Sequence, residues 1–156
     1  MFYIDIKKLN PEVRIPTKGS SESAGWDLYA YTYENHETNE RDDWSVFILP
    51  GQTAKIHTGL AISLPEGTFA GIYARSGLAT KRGLAPANKV GIIDSDYRGE
   101  IIVALHNSSD IPQNLKKYER IAQLIVQPYI QNTWVEVEEL DETDRGDGGF
   151  GSTGTN

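Results

Sequence analysis

The chain has 156 residues, 38% of them hydrophobic, a formal net charge of −7 and no cysteine. That length suits one domain with a proper core. The acidic balance disfavours a nucleic-acid partner, and the missing cysteines exclude disulfides, thiolate-bound metals and a cysteine nucleophile. The N-terminal MFYIDIKKLN lacks the apolar core of a signal peptide. No run approaches the ~18 apolar residues of a membrane span, so a soluble, cytoplasmic protein without a membrane partner is expected.

In chain order, residues 2–9 alternate and read as a first strand, and 11–23 as a turn-rich connection. Residues 25–33 read as a second strand. Residues 35–43 form a polar, charged loop to which no role is assigned, and 44–49 resume strand character. Ile56, Thr58, Leu60, Ile62 and Leu64 recur with period two and are expected to share one face. Pro65-Glu66-Gly67 is a turn, with Pro and Gly at favoured type I positions if it starts at Leu64. Residues 68–74 follow as the partner strand, and 76–82 as a short helix. Val90, Ile92 and Ile93 pair in a β-hairpin with a return strand over 100–105, which continues to 107. A strand over 121–128 follows, with 112–118 between them, and the alternation of 134–138 predicts a last strand. Many short strands and one short helix predict an all-β fold, a jelly-roll-like β-barrel over residues 1–140. Residues 141–156 are polar and glycine-rich and predict a flexible C-terminal arm.

Between the two arms of the expected hairpin lies Asp94-Ser95-Asp96-Tyr97-Arg98-Gly99. A turn uses Asp, Ser and Gly for its backbone geometry. That leaves the ring and the guanidinium to be explained. Asp94 and Asp96 are candidate general bases. Two residues apart on an extended chain their side chains diverge, so they do not share one role, and a turn-capping Asp is an equally good reading of Asp94. Tyr97 could be a core aromatic flanking the turn, and Asn88 an ordinary turn residue whose amide both donates and accepts. Arg75-Ser76-Gly77 opens the expected helix, where free N–H groups and a hydroxyl suit an anion. Alone, that signal is weak. Gln123 shares a strand face with Ile121 and Ile125, and a buried amide needs a partner. Asp27, between Trp26 and Leu28, is similarly ambiguous. Arg75, Lys81, Arg82, Lys89 and Arg98 concentrate positive charge, enough for a small anion, with a divalent cation offsetting the rest. His36, His57 and His106 are scattered and lack metal-ligand spacing.

ANKVGIIDSDYRGEI (87–101) resembles the third motif of the dUTPases, trimeric enzymes that hydrolyse dUTP to dUMP and pyrophosphate. AGWDLYA (24–30), ARSGLA (74–79), ERIAQLIVQPY (119–129) and RGDGGFGSTG (145–154) resemble the family's other motifs, in its order. Together they span nearly the whole chain. The resemblance implies that Asp94 orients and activates the attacking water, and that the Tyr97 ring lies beneath the deoxyribose and excludes a 2′-hydroxyl. Asn88, Gly91, Ile92, Ile93 and Ile102 would read uracil, whose O4 acceptor and N3–H donor are inverted in cytosine, so that a mismatch leaves polar groups unpaired. Arg75, Ser76, Gly77 and Gln123 would hold the phosphates. The arm would close over a neighbouring subunit's site, with Phe150 on the base, Arg145 on the γ-phosphate and glycine N–H groups such as that of Gly151 around the phosphates. Asp147 departs from the neutral residue expected there. The implied cofactor is Mg²⁺, carried by the phosphates without a direct protein ligand and supported indirectly by Asp27. The implied assembly is a homotrimer, and the implied roles are limiting uracil in DNA and supplying dUMP for thymidylate. The alternatives are a dCTP deaminase-like enzyme of the same fold, opposed by Ala104 where that enzyme carries a catalytic Glu, and a nucleotide-responsive regulatory protein using the 35–43 loop.

Overall fold

The computed structural model describes residues 3–34, 41–42 and 45–149. Phe150, Gly151 and most of the 35–43 loop lie outside the described residues. In chain order the strands are β1 (Asp5–Lys8), β2 (Trp26–Tyr29), β3 (Thr32–Glu34), β4 (Arg41–Asp42), β5 (Ser45–Ile48), β6 (Thr53–His57), β7 (Leu60–Ser63) and β8 (Thr68–Tyr73). Helix α1 (Ser76–Arg82) is followed by β9 (Leu84–Pro86), β10 (Gly91–Ile93), β11 (Ile102–Asn107), β12 (Gln113–Lys116) and β13 (Arg120–Pro128). All pairings are antiparallel. One sheet runs β10-β8-β13-β2 and a second β4-β3-β6-β11-β9, with β1-β7 and β12-β5 as two-stranded ribbons. The result is a jelly-roll-like all-β body with one short helix. Leu28, Ile48, Ile56, Leu84, Leu105 and Ile121 are fully buried in its core. Among the described residues no helix is long and apolar enough to cross a membrane.

Helix α1 occupies the stretch expected of it. It stops at Gly83, whose left-handed backbone (φ +65°) closes the last turn by donating to the carbonyl of Ala79.

The strands depart from expectation where the chain changes sheet. The expected strand over 25–33 is two strands. Ala30 N–H donates to the Glu119 carbonyl at 2.8 Å and Tyr31 N–H to that of His57 at 2.9 Å, so consecutive donors serve opposite sheets. Ile56, Thr58, Leu60, Ile62 and Leu64 are all buried, as their spacing suggests. They do not line one strand, however, because β6 and β7 belong to different sheets. Gly59 turns the chain between them at φ +69°, and a Cβ there would lie 2.3 Å from Val13 Cγ2. The turn after β7 starts at Pro65, whose carbonyl accepts from Thr68 N–H at 3.2 Å. Gly67 then falls at the third position with φ +76°, the geometry of a type II turn. Strand β8 pairs with β10 and β13 rather than returning along β7.

The expected hairpin around Asp94 is not a hairpin. β10 pairs with β8, and β11 pairs with β6 and β9, so the intervening turn crosses from one sheet to the other. Strand β9, and β12 within 112–118, were not expected. They are three and four residues long, too short to show a period. The expected strand over 134–138 does not form: Trp134 and Val135 are 93% and 75% exposed, and no strand among the described residues pairs with this segment.

Candidate active site

The sheet-crossing turn is built from its own side chains. Tyr97 N–H donates to the Asp94 carbonyl at 3.2 Å. Arg98 donates through one terminal nitrogen to the carbonyls of Ser95 (2.7 Å) and Tyr97 (3.0 Å), so its guanidinium is committed to the turn's backbone. The Tyr97 hydroxyl donates to the Glu100 carbonyl at 3.0 Å, which lays the ring over Gly99. A Cβ on Gly99 would sit 2.3 Å from that hydroxyl oxygen. Residue 99 must therefore be glycine for the ring to lie there. With the backbone and Arg98 holding the turn, the exposed Asp94 and Asp96 carboxylates face solvent, and the Tyr97 ring stays 42% exposed.

Next to this turn, Asn88 sits at the tip of a tight bend. Lys89 adopts φ +66° and Val90 N–H donates to the Asn88 carbonyl at 2.7 Å. The bend folds the Asn88 amide onto Gly91, where Nδ2 lies 3.3 Å from the position of a Cβ. Asn88 and Gly91 are thus brought together. Ile93 is half-buried, whereas Ile92 (55% exposed) and Ile102 (39%) are open to solvent.

A second cluster gathers on the β8-β13-β2 sheet. Asp27 and Gln123 are register partners, and Gln123 is also the partner of Tyr73. The Gln123 amide donates to the Ala74 carbonyl at 2.9 Å. It needs Gly25 opposite, because a Cβ there would meet Gln123 Oε1 at 2.4 Å. The buried Asp27 carboxylate accepts from Arg75 Nε at 2.8 Å through one oxygen and from Arg120 at 3.1 Å through the other. Arg75 is also the N-cap of α1, which has no side-chain cap. Ser76 and Gly77 are exposed on its first turn, with nothing within 4 Å of a Cβ on Gly77. Arg75, Ser76, Gly77, Gln123 and Asp27 therefore form one polar cluster. Arg120 was missed by the sequence reading, although it lies inside the ERIAQLIVQPY motif. Register against β2, not spacing, brings it near Asp27. Arg145 donates to the Gly148 carbonyl at 2.8 Å, within its own turn.

A third cluster lies beneath the first. His57, with 3% of its side chain exposed, places Nδ1 2.8 Å from Glu100 Oε2 and Nε2 3.3 Å from Glu34 Oε1. Glu100 Oε1 accepts from Gly59 N–H at 2.8 Å. Lys55 lies 3.2 Å from Glu34. Its ammonium, with a smaller contribution from His57, holds the Glu34 carboxyl below its ordinary value. No group of three or more His, Asp or Glu side chains among the described residues could hold a metal ion. Ala104 is half-buried on β11 and accepts from Ala87 N–H at 2.8 Å, so no carboxylate occupies that position.

A family model for the dUTPases matches residues 11–154. The deoxyuridine 5′-triphosphate nucleotidohydrolase of Nautilia profundicola is 46% identical over 151 residues, covering 97% of this chain and 98% of the relative. That of Arabidopsis thaliana is 43% identical over 152 residues, covering 97% and 83%. The structure of a G164S mutant of the Staphylococcus bacteriophage 80alpha dUTPase with dUpNHpp superposes with a TM-score of 0.84 at 25% identity, covering 99% of this chain and 100% of the phage chain. The chain belongs to the dUTPase family.

Proposed function

We propose that the protein hydrolyses dUTP to dUMP and pyrophosphate. The observation that carries this reading is the sheet-crossing turn, which holds the Tyr97 ring against Gly99 while leaving the Asp94 carboxylate exposed. Water held by Asp94 attacks the α-phosphorus in line with the oxygen that bridges to the β-phosphate. As the new P–O bond forms, the bond to that bridging oxygen breaks, pyrophosphate departs, and Asp94 takes a proton from the water. A carboxylate near its usual pKa of about 4 is a weak base at neutral pH, so orientation contributes as much as basicity. Asn88, Gly91, Ile92, Ile93 and Ile102 read the uracil edge, and the Tyr97 ring occupies the space a 2′-hydroxyl would need. Arg75, Ser76, Gly77 and Gln123 hold the phosphates. The likeness to a phage enzyme solved with dUpNHpp supports the nucleotide class.

Both Asp27 oxygens are engaged by arginines, and the described residues offer no cage of three ligands. That donor set fits a Mg²⁺ that arrives on the substrate phosphates and keeps its waters, as this ion prefers. When bound, the ion neutralises phosphate charge. Asp27 supports the site by fixing Arg75.

We further propose a homotrimer in which residues 141–156 act as an arm closing on a neighbouring subunit's site, with Arg145, Phe150 and Gly151 contacting the nucleotide. The exposed apolar run of Ile130, Trp134, Val135, Val137 and Leu140 is what a segment laid on another subunit would present. The cellular roles that follow are limiting uracil in DNA and supplying dUMP. Deamination of dCTP is the poorer reading, because Ala104 leaves no carboxylate on β11 for it.

Incubation with dUTP and release of pyrophosphate tests the activity. Asp94→Asn should keep substrate affinity and lower kcat by roughly 10²- to 10⁴-fold, the span of a general base. Near-normal turnover of that variant would remove Asp94 from the mechanism.

A further inference from the structure

We infer that Glu100 is a positioning residue for the Tyr97 ring, and so for discrimination between deoxyribose and ribose. This rests on the reading that Tyr97 meets the sugar. The ring is tethered at its far end by one hydrogen bond, from its hydroxyl to the Glu100 carbonyl at 3.0 Å. The position of that acceptor therefore sets the tilt of the ring.

The acceptor is held from the side-chain end. The Glu100 side chain is only 9% exposed. One carboxylate oxygen accepts from Gly59 N–H at 2.8 Å and the other lies 2.8 Å from His57 Nδ1. A carboxylate can only accept, so Nδ1 carries the hydrogen of that pair. Gly59 is itself closely packed, and only a glycine fits there. Its φ of +69° excludes most side chains, and Val13 fills the space where a Cβ would go. On the other flank, Ile101 N–H donates to the Leu60 carbonyl at 2.8 Å and the Ile101 carbonyl accepts from the Thr58 hydroxyl at 2.7 Å. Residues 58–60 thus anchor residues 100–101 through side chain and backbone together. The turn from Ser95 to Gly99 hangs from that anchor. A carboxylate in contact with two buried partners is a costly arrangement for a residue that only filled space. Its position one residue beyond the ring's platform gives it a use.

The test is the UTP/dUTP ratio of kcat/KM, measured with melting temperature for wild type, Tyr97→Ala, Tyr97→Phe, Glu100→Ala, Glu100→Gln and the double variant Tyr97→Phe/Glu100→Ala. Tyr97→Phe keeps the ring and removes the tether. It should raise the ratio about two- to tenfold, the span of one hydrogen bond's net worth. Glu100→Ala should raise it similarly, chiefly through KM for dUTP. The double variant should do no more than the larger single, since both act on one contact. Glu100→Gln keeps an oxygen for Gly59 N–H and should restore most of the discrimination. A ratio unchanged in Glu100→Ala, whatever its melting temperature, overturns the inference, as does a double variant whose effects multiply. If Tyr97→Ala itself leaves the ratio unchanged, the sugar is read elsewhere and the underlying reading fails first. Should Glu100→Ala not fold, Glu100→Asp decides in its place. It keeps the charge but is one methylene too short to reach Gly59 and His57 at once, and it must raise the ratio.

Discussion

Asp27 holds Arg75 by its inner guanidinium nitrogen, Nε to Oδ1 at 2.8 Å, although the two are 48 residues apart in the chain. Binding through Nε leaves the two terminal nitrogens pointing onward, where one donates to the Arg120 carbonyl at 3.3 Å. The Asp27 side chain is 13% exposed and that of Arg75 27%. The pair is partly shielded from water and its geometry is fixed by strand register.

Asp27→Asn should accordingly raise KM for dUTP about tenfold while changing kcat less. The variant keeps the shape but removes the charge that lets Arg75 and Arg120 approach each other. Losing one partner of a shielded, hydrogen-bonded charge pair costs roughly 2–5 kcal/mol at interfaces, and the exposure of Arg120 (49%) brings the effect down. Steady-state kinetics with dUTP checks it. An unchanged KM would show that Arg75 needs no support from Asp27.

How far this arrangement could be read from the sequence depends on what kind of signal each residue gives. Asp94, Tyr97, Arg75, Gln123 and Asp27 could be named because they fall in motifs that resemble those of the dUTPases, since alone Asp94 reads equally well as a turn cap and Arg75-Ser76-Gly77 is a weak signal. The helix over 76–82 could be placed because a strand ends before it and Gly83 follows. Sheet assignment could not be read. Ile56 to Leu64 keeps its apolar alternation through Gly59, so nothing in the pattern marks the change of sheet. The turn bearing Asp94 looks like a hairpin for the same reason: flanking strands advertise their strand character but not their partners. Arg120 and the contact between Glu100 and His57 are long-range facts of register, invisible to spacing.

Gly83→Ala should destabilise the fold by at least ~1 kcal/mol. The left-handed conformation at φ +65° alone costs a residue with a Cβ about 1–2 kcal/mol. The added methyl would also lie 2.9 Å from the backbone nitrogen of Ser109 and 3.0 Å from its Cβ. Neither atom is the end of a flexible side chain, so the loop after β11 must move. The expected fall in melting temperature is about 2–4 °C per kcal/mol for a chain of this size, read by thermal unfolding. A neutral result would mean that the loop yields freely.

Acid should weaken the Glu34–Lys55 pair in a defined direction. The Glu34 carboxyl is held below its ordinary value of 4.5, first by the hydrogen bond from Lys55. A depressed folded-state value means the contribution is fully present above the unfolded value near 4.5 and is lost as pH falls through the lower folded value. Lys55→Gln should therefore be less stable than wild type at neutral pH, by a small amount because Lys55 is 56% exposed. The gap should close on acidification well below pH 4.5. Denaturant midpoints for the two proteins across that range measure it. A gap that stays constant with pH would show that the pair does not contribute through its charge.

Truncation after Leu140 should leave a folded protein of unchanged oligomeric state that turns over dUTP poorly. The last strand ends at Pro128, and Tyr129 N–H still donates to the Gly67 carbonyl at 3.1 Å, so the jelly roll is complete before the cut. Between residues 141 and 149 the backbone bonds are local, from Gly146 to Thr143 and from Gly148 to Arg145. Those side chains have almost no apolar surface to bury, so the melting temperature should hardly move. Leu140 is 85% exposed and, with Trp134, Val135 and Val137, stays in the truncated chain. Light scattering should then give about three times the 17.3 kDa of one full-length subunit for the full chain, and the corresponding trimer for the truncation. What the cut removes is Arg145 for the developing phosphate charge and Phe150 for the base. Stacking an aromatic on a base is worth about 1–3 kcal/mol, so loss of Phe150 alone should cost roughly five- to 150-fold in kcat/KM. The missing arm also leaves the site open to bulk water. A large drop in melting temperature would make the arm structural, and unchanged kcat/KM would end its role as a lid. A monomer in the full chain would contradict any site closed by a neighbouring subunit.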